Sequence, residues 1–284
     1  VLAPKKKYSS QKKRHDYIAH DFQPMPRKKK ALGQHFLRKQ SVVDHMIDAV
    51  TLHPEGHILE IGCGDGFLTR ALIETKSAGV RCYEIDQEWA DIVRQEINNS
   101  KLDLRLENVL EADWSTLAEQ KNWVILANLP YQITFPILYK IIEHRHFFSE
   151  GVVMIQEEVA QKIVSKGGRG YGVTPLKMQY YFEELKLLEK IEPGAFTPPP
   201  SVFSRLLYFK PRKTLQEIPH EKLFWKFLGH CFQSPRQNLK NNIRGTIYPT
   251  SLFTEEELKL RAQQMSWDNF LALWNRIIDA GYCS

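Results

Sequence analysis

The sequence predicts an α/β fold: a mostly parallel seven-stranded sheet with one antiparallel strand, followed by a small C-terminal all-α domain. Three observations predict it. Short apolar runs bounded by turn residues alternate with helix-like segments over 27–210, the pattern of a sheet wrapped by crossover helices. A glycine turn, Gly62-x-Gly64-x-Gly66, joins the first buried run to a helical segment. After Lys210-Pro211 the alternation stops and only helical periods follow, which puts a domain boundary near 210.

The elements follow in order. Residues 1–26 carry few apolar side chains and no sustained period, and read as a basic, flexible arm. In the next domain, 27–210, Ser41 is a candidate N-cap for a helix to about Val50, with Val42, Val43, Met46 and Ile47 on one face. Strands are expected at 58–61, 80–86, 102–106, 124–127, 151–155, 185–191 and 202–209. Helices are expected at 67–75, 88–98, 135–143 and 157–164. The run 202–209 alternates enough for an edge or antiparallel position. Between these lie a glycine-rich basic loop, 166–172, and a proline-pinned loop, 193–201, that carries Phe196. The last domain, 211–284, reads as helices at 220–232, 235–244, 255–264 and 267–280.

Charge is placed unevenly. Residues 1–30 hold ten Lys/Arg against Asp16 and Asp21, a net +8, while the whole chain is +6. The rest is therefore slightly acidic, except for 205–244, where nine Lys/Arg face only Glu217 and Glu221. Two basic blocks on such a body suggest a polyanion partner; a solubilising tail and an ordinary polar helix face are the alternative. Arg236, Lys240 and Arg244 recur at helical spacing and are expected to share a face that meets phosphates. Arg169 in the glycine loop is a further candidate phosphate contact. The four cysteines, Cys63, Cys82, Cys231 and Cys283, form no CxxC pair and no zinc-like spacing with His, so no metal site is expected. No apolar run reaches membrane-spanning length, and no signal-like core follows the basic start. An intracellular location is expected, cytoplasmic or, in a eukaryotic cell, organellar.

The candidate site begins at Val124-Ile-Leu-Ala-Asn-Leu-Pro-Tyr131. Pro130 stops a buried strand and biases Leu129 toward an extended backbone. Asn128 then sits at a strand's carboxyl end, where open α/β sheets bind ligands. An amide acceptor, a backbone carbonyl and a stackable ring suit a planar group with an exocyclic amine, such as a nucleobase. The bland alternative is a turn in which Asn128 bonds its own backbone. The spacing Gly62-x-Gly64-x-Gly66 differs from the dinucleotide fingerprint. Glu60 and Asp65 at its mouth would repel a pyrophosphate but attract a cationic amino-acid ligand. This argues against NAD and toward S-adenosylmethionine. Glu84 ends the next strand about 20 residues on, where an acid takes ribose hydroxyls. Asn108, after the third strand, could accept from an adenine amino group, with Asp113 as its rival.

Leu32-Gly-Gln-His-Phe-Leu37, Glu60-Ile-Gly-Cys-Gly-Asp-Gly66, Tyr83-Glu-Ile-Asp86, Asn128-Leu-Pro-Tyr131 and Ala195-Phe-Thr-Pro-Pro-Pro200 occur in that order. Together they resemble the small-subunit ribosomal RNA adenine dimethyltransferases, the family of the kasugamycin-sensitivity methyltransferase and its eukaryotic relatives. The likeness runs from about Arg27 to the C-terminus and includes Tyr171-Gly-Val-Thr-Pro-Leu-Lys-Met-Gln-Tyr-Tyr181 and Ser234-Pro-Arg-Gln-Asn-Leu-Lys-Asn-Asn-Ile243. It implies a Rossmann-like class I methyltransferase fold. It also implies S-adenosylmethionine-dependent dimethylation of N6 on two adjacent adenosines near the 3′ end of small-subunit ribosomal RNA. The implied partner is that RNA or the immature small subunit, met by a monomer.

Carried over by position, the resemblance implies that His35 and Leu37 line the cofactor site through backbone contacts. Glu60, Gly62 and Gly64 would meet the methionine part, Glu84 and Ile85 the ribose side, and Asn108 and Val109 the adenine. Asn128 would lie by the reacting methyl. Asn128 and the Leu129 carbonyl would accept from N6, with Pro130 stiffening the turn, while Tyr131 and Phe196 would sandwich the target base. The chain departs from the family pattern at His35 (usually Asn), Asn108 (usually Asp), Gln132 (commonly Asn), and Ser201 and Phe203 (commonly Lys and Asp). Rival readings are the macrolide-resistance methyltransferases acting on large-subunit RNA, a non-catalytic RNA-binding assembly or transcription factor on the same fold, and a Rossmann oxidoreductase. The glycine spacing disfavours the last.

Overall fold

The computed structural model describes residues 34–168 and 170–282; the arm 1–26 and Arg169 lie outside them. The described chain opens with β1 (Phe36–Leu37) and α1 (Gln40–Asp48). It then alternates β2 (His57–Ile61), α2 (Phe67–Ile73), β3 (Gly79–Glu84), α3 (Gln87–Glu96) and β4 (Leu102–Leu106). Next come β5 (Trp123–Asn128), α4 (Thr134–Glu143), β6 (Phe148–Gln156), α5 (Glu157–Ile163), α6 (Val173–Tyr181), β7 (Phe182–Ile191), β8 (Phe196–Thr197) and β9 (Ser204–Pro211). The chain ends in α7 (Glu221–Cys231), α8 (Leu239–Ile243), α9 (Glu255–Lys259) and α10 (Trp267–Asp279).

Seven strands form one sheet in the order β4-β3-β2-β5-β6-β9-β7. β4, β3, β2, β5 and β6 run parallel, and β9 is antiparallel to both β6 and β7. The chain steps outward from β2 to β4, then returns to the other side of β2 with β5. That reversal is a topological switch point, and the crevice beyond the carboxyl ends of β2 and β5 is the natural ligand site.

The strands explain the two-sided core. In β5, Val124 and Leu126 join one apolar cluster while Ile125 and Ala127 join the other, as the period of two requires. With both faces covered, the strand reads as an unbroken apolar run. The second cluster does not stop at the sheet. It continues through Phe224, Phe227 and Leu228 of α7 into Phe270, Leu273, Trp274 and Ile277 of α10. The C-terminal helices are thus packed onto one sheet face and share its core.

Several local expectations shift. α1 starts at Gln40 after Lys39, and no side chain caps it, so Ser41 is helical. The run 202–209 becomes an internal antiparallel strand, and the edge belongs to β7. The segment 235–244 is helical only over Leu239–Ile243, because Asn238 takes the N-cap and accepts from the Asn241 amide. The segment 255–264 splits into α9, opened by a Thr254–Glu257 capping box, and a 3₁₀ turn at Ala262–Gln264. Not expected were helix α6, the 3₁₀ turn Trp114–Glu119, and the short antiparallel pair of β1 with β8.

Candidate active site

A cavity of about 250 Å³ lies beyond the carboxyl ends of β2 to β5. The switch point dictates the position, and four loops supply the wall. After β2, the backbone must turn sharply into α2. Gly62, Gly64 and Gly66 all take positive φ there, which L side chains rarely tolerate. Gly64 has a second constraint: a Cβ would lie 2.6 Å from Cε1 of Phe36. The Phe36 ring is therefore packed onto the glycine turn, and β1 beside it closes the pocket from the side of β8.

Glu60, at the end of β2, lines the cavity and is fully buried. Neither carboxylate oxygen completes a hydrogen bond among the described residues. Burial pushes its pKa up to about 8, and the nearby Glu84 carboxylate pushes in the same direction. A buried acid without a partner is costly; a cationic ligand group is the partner this wall lacks. Glu84, at the end of β3, is the opposite case. Its Oε1 accepts from the amides of Ile85 and Asp86 at 2.9 and 2.8 Å, and its Oε2 accepts from Gly64 N at 3.0 Å and the Cys63 thiol at 3.7 Å. Burial raises its pKa and these amide bonds oppose the rise. The carboxylate thus ties the glycine turn to the next strand. A vicinal diol would have to displace the thiol, the weakest of the four donors.

Ile85 projects from the rim, 55 % exposed. After β4, Asn108 and Val109 reach the cavity. The Asn108 amide is engaged locally: Oδ1 accepts from Leu110 N at 3.1 Å and Nδ2 donates to Glu111 at 2.7 Å. One lone pair of Oδ1 remains for a ligand. Asp113 does not line the cavity. It caps the 3₁₀ turn Trp114–Glu119 by accepting from Ser115 N and Oγ. Of the two rivals, Asn108 is the one in place.

After β5, Asn128, Leu129, Pro130 and Tyr131 complete the wall, with His35 beside them and Leu37 also lining it. Asn128 Nδ2 donates to the His35 carbonyl at 3.1 Å. That bond sets which way the amide points and leaves Oδ1 as the acceptor. The self-bonded turn is therefore not what forms. Tyr131 stacks loosely on the His35 ring, centroids 5.7 Å apart, and its hydroxyl shares a 2.6 Å hydrogen bond with Ser204 Oγ. The His35 ring is itself held, with Nδ1 donating to the Pro198 carbonyl at 2.8 Å.

Phe196 is placed differently from expectation. It is 3 % exposed, pairs with Leu37 across β1–β8, and packs in a core cluster. It does not line the cavity, and a ring so enclosed cannot stack on a base from where it stands. The basic candidates also need correction. Arg236, Lys240 and Arg244 are exposed, but only Lys240 is helical; Arg236 precedes α8 and Arg244 leaves it with extended backbone. The shared helix face does not exist, because the Asn238 cap starts the helix too late.

Sequence reasoning missed Gln34, Tyr83, Glu107 and Ile133 as lining residues. Their position beside named motif residues was the available signal. It also missed Arg38, which ion-pairs with Asp65 at the mouth and neutralises a carboxylate expected to face the ligand. No local signal marks that pair. Among the described residues, no three His, Cys, Asp or Glu side chains converge as a metal site. No described helix is long and apolar enough to cross a membrane.

Comparison with known proteins places this geometry. A family model described as "Ribosomal RNA adenine dimethylase" matches residues 25–279. A ribosomal RNA small subunit methyltransferase A from Thermotoga maritima is 35 % identical over 260 residues, covering 91 % of this chain and 88 % of its own. The protein of that name from Prosthecochloris aestuarii is 33 % identical over 251 residues, covering 88 % and 94 %. Among solved structures, a dimethyladenosine transferase from Plasmodium falciparum superposes with a TM-score of 0.71 at 21 % identity, covering 87 % of this chain and 98 % of its own. The 23S rRNA methyltransferase ErmE does so at 0.66 and 22 %, covering 86 % and 99 %. These two likenesses show the Rossmann-like methyltransferase fold. The length and identity of the sequence matches show more: this chain belongs to the ribosomal RNA adenine dimethylase family.

Proposed function

We propose that this chain transfers methyl groups from S-adenosylmethionine to adenine N6, twice on each of two adjacent adenosines near the 3′ end of small-subunit ribosomal RNA. The observation that carries the reading is the Asn128 amide. One of its two N–H groups bonds the His35 carbonyl, which fixes the amide in the wall of a pocket lined by a glycine turn and acids and leaves Oδ1 as the acceptor. The pocket suits the cofactor. Glu60 supplies the missing partner for an ammonium, the positive-φ glycines allow close backbone approach, and Ile85 and Val109 offer apolar faces to a purine. When bound there, the cofactor supplies an electrophilic methyl.

Adenine N6 is a weak nucleophile because its lone pair is delocalised into the ring. Asn128 Oδ1 and the Leu129 carbonyl would accept hydrogen bonds from its N–H groups and favour a pyramidal nitrogen aimed at the methyl, and the proton released when nitrogen takes the methyl would leave to solvent. Positioning is the main source of rate, with acceptors meeting charge as it develops. Tyr131 offers a ring to a base taken out of its stack. The Thermotoga maritima and Prosthecochloris aestuarii relatives are named for the small subunit, which favours that substrate over the large-subunit RNA named for ErmE. The fold likeness alone would serve either. Contribution to small-subunit biogenesis, action as a monomer, and a cytoplasmic location are parts of the same proposal. So is the division into an arm 1–26, a methyltransferase domain 27–210 and an RNA-binding helical domain 211–284. The test supplies labelled S-adenosylmethionine with unmodified small and large subunits. Label on small-subunit RNA supports the reading; label on large-subunit RNA alone overturns it.

A further inference from the structure

A second concavity, about 890 Å³, opens between α4, α6 and the start of α7 and shares no wall residue with the first. Its chemistry is unusual for a simple domain seam. The Lys177 ammonium lies 5.2 Å from the Tyr139 ring centroid and 5.3 Å from that of Trp225. The Arg145 guanidinium lies 4.6 Å over Tyr181. Lys222 is exposed at the edge. Against these stand Glu143 and Glu221, but Glu221 is committed to the Tyr181 hydroxyl and to Trp225 Nε1. Among the described residues, Lys177 and Arg145 make no ion pair with a carboxylate. Burial lowers the Lys177 pKa, and the Glu221 carboxylate opposes the fall without reversing it.

Helix α4 bridges the two cavities: Ile133, just before it, lines the first, and Tyr139 on it lines the groove. α4 begins three residues after Tyr131, and Phe135 and Tyr139 stand one helical turn apart on its outer face, each 38 % exposed. Cations that stack on rings but make no ion pair fit single-stranded nucleic acid, whose bases stack while its phosphates pair. An apolar protein segment would bury those cations unpaired, which is costly.

We propose that this groove, entered over Phe135 and Tyr139, binds the single-stranded RNA adjoining the target adenosine. Phosphates would meet Lys177 and Arg145, and bases the rings of α4. The proposal rests on the RNA-methylation reading of the pocket. The test uses the full chain and two RNA probes: a 3′-terminal fragment of small-subunit ribosomal RNA, and the same fragment trimmed of its unpaired nucleotides. Tyr139→Ala is expected to bind the untrimmed fragment about 10-fold more weakly. Lys177→Ala should lower the slope of log affinity against log salt by about one, and Lys177→Arg should restore it. Both variants should match wild type on the trimmed fragment and in S-adenosylmethionine affinity. Lys222→Ala, at an exposed position on the groove edge, keeps the test open should Lys177 variants fail to fold; it too should lower the slope on the untrimmed RNA alone.

Unchanged affinity for the untrimmed fragment in all variants overturns the proposal. So does a loss seen only with assembled subunits, which would assign the groove to a ribosomal protein. A wild-type chain that binds the untrimmed RNA yet methylates nothing refutes the methylation reading instead, and the same binding arms still decide the groove.

Discussion

Replacing Asn128 separates two roles that the structure gives to one side chain. Asn128→Ala removes the Oδ1 acceptor and the 3.1 Å bond from Nδ2 to the His35 carbonyl. The structural part is small. His35 is only half-buried, so its carbonyl regains water, and the loss is about 0.5–1.5 kcal/mol of stability. The chemical part is larger, because the acceptor acts where charge develops; removing one such preorganised group costs about 100- to 1000-fold in kcat. S-adenosylmethionine affinity should stay within about tenfold, since Glu60, Glu84 and the glycine turn are untouched. Asn128→Asp divides the roles: it keeps an oxygen but cannot donate to His35, and its charge repels that carbonyl. Its kcat should fall between wild type and Asn128→Ala. The assay is single-turnover methyl transfer with saturating RNA, alongside calorimetric titration of cofactor. Near-wild-type turnover in Asn128→Ala would refute the reasoning.

Tyr131→Ala should lose stacking on the order of 1–3 kcal/mol in transfer to RNA, whereas Tyr131→Phe, lacking only the bond to Ser204, should lose tenfold or less; equal losses would contradict a stacking role. Phe196→Ala should cost about 3–5 kcal/mol of stability by leaving a core cavity, measured by urea denaturation, while Phe196→Leu should restore most of it together with activity. A base-stacking ring would not be rescued by leucine. Glu60 carries a pH signature. The folded chain keeps its proton to about pH 8, while the unfolded chain loses it near the ordinary 4.5, so stability falls as pH rises through that window. Glu60→Gln should remove this fall, and wild-type cofactor affinity should rise between about pH 6 and 9 while that of the variant stays flat. Flat profiles in both proteins would exclude the carboxylate as partner of a cationic ligand group.

What the sequence made legible was mostly what is local. β4 falls on the residues that its alternation and flanks suggested, because alternating leucines between turns mark a strand even at the half-exposed edge of the sheet. The glycine turn, Glu84 and Asn128 come together because each ends a parallel strand, and strand ends on one side of a sheet must converge. The failures are non-local. α6 buries Pro175, Leu176, Met178, Tyr180 and Tyr181 on several faces, so no single apolar stripe marked it. The pairing of Phe36–Leu37 with Phe196–Thr197 joins segments about 160 residues apart, and that contact alone decides that Phe196 points into a core. Arg236, Lys240 and Arg244 had the right spacing for a helix that Asn238 does not allow to begin in time.

The account's central claim is that Asn128 and its neighbours present adenine N6 to a bound methyl donor. Nucleoside mass spectrometry of small-subunit RNA tests it most directly, after incubation of unmodified small subunits with S-adenosylmethionine and either wild type or Asn128→Ala. The account predicts N6,N6-dimethyladenosine at two adjacent positions near the 3′ end with wild type, and accumulation about 100- to 1000-fold slower with a variant that still binds cofactor. Dimethyladenosine formed equally by both proteins, or methylation at an atom other than N6, would contradict it.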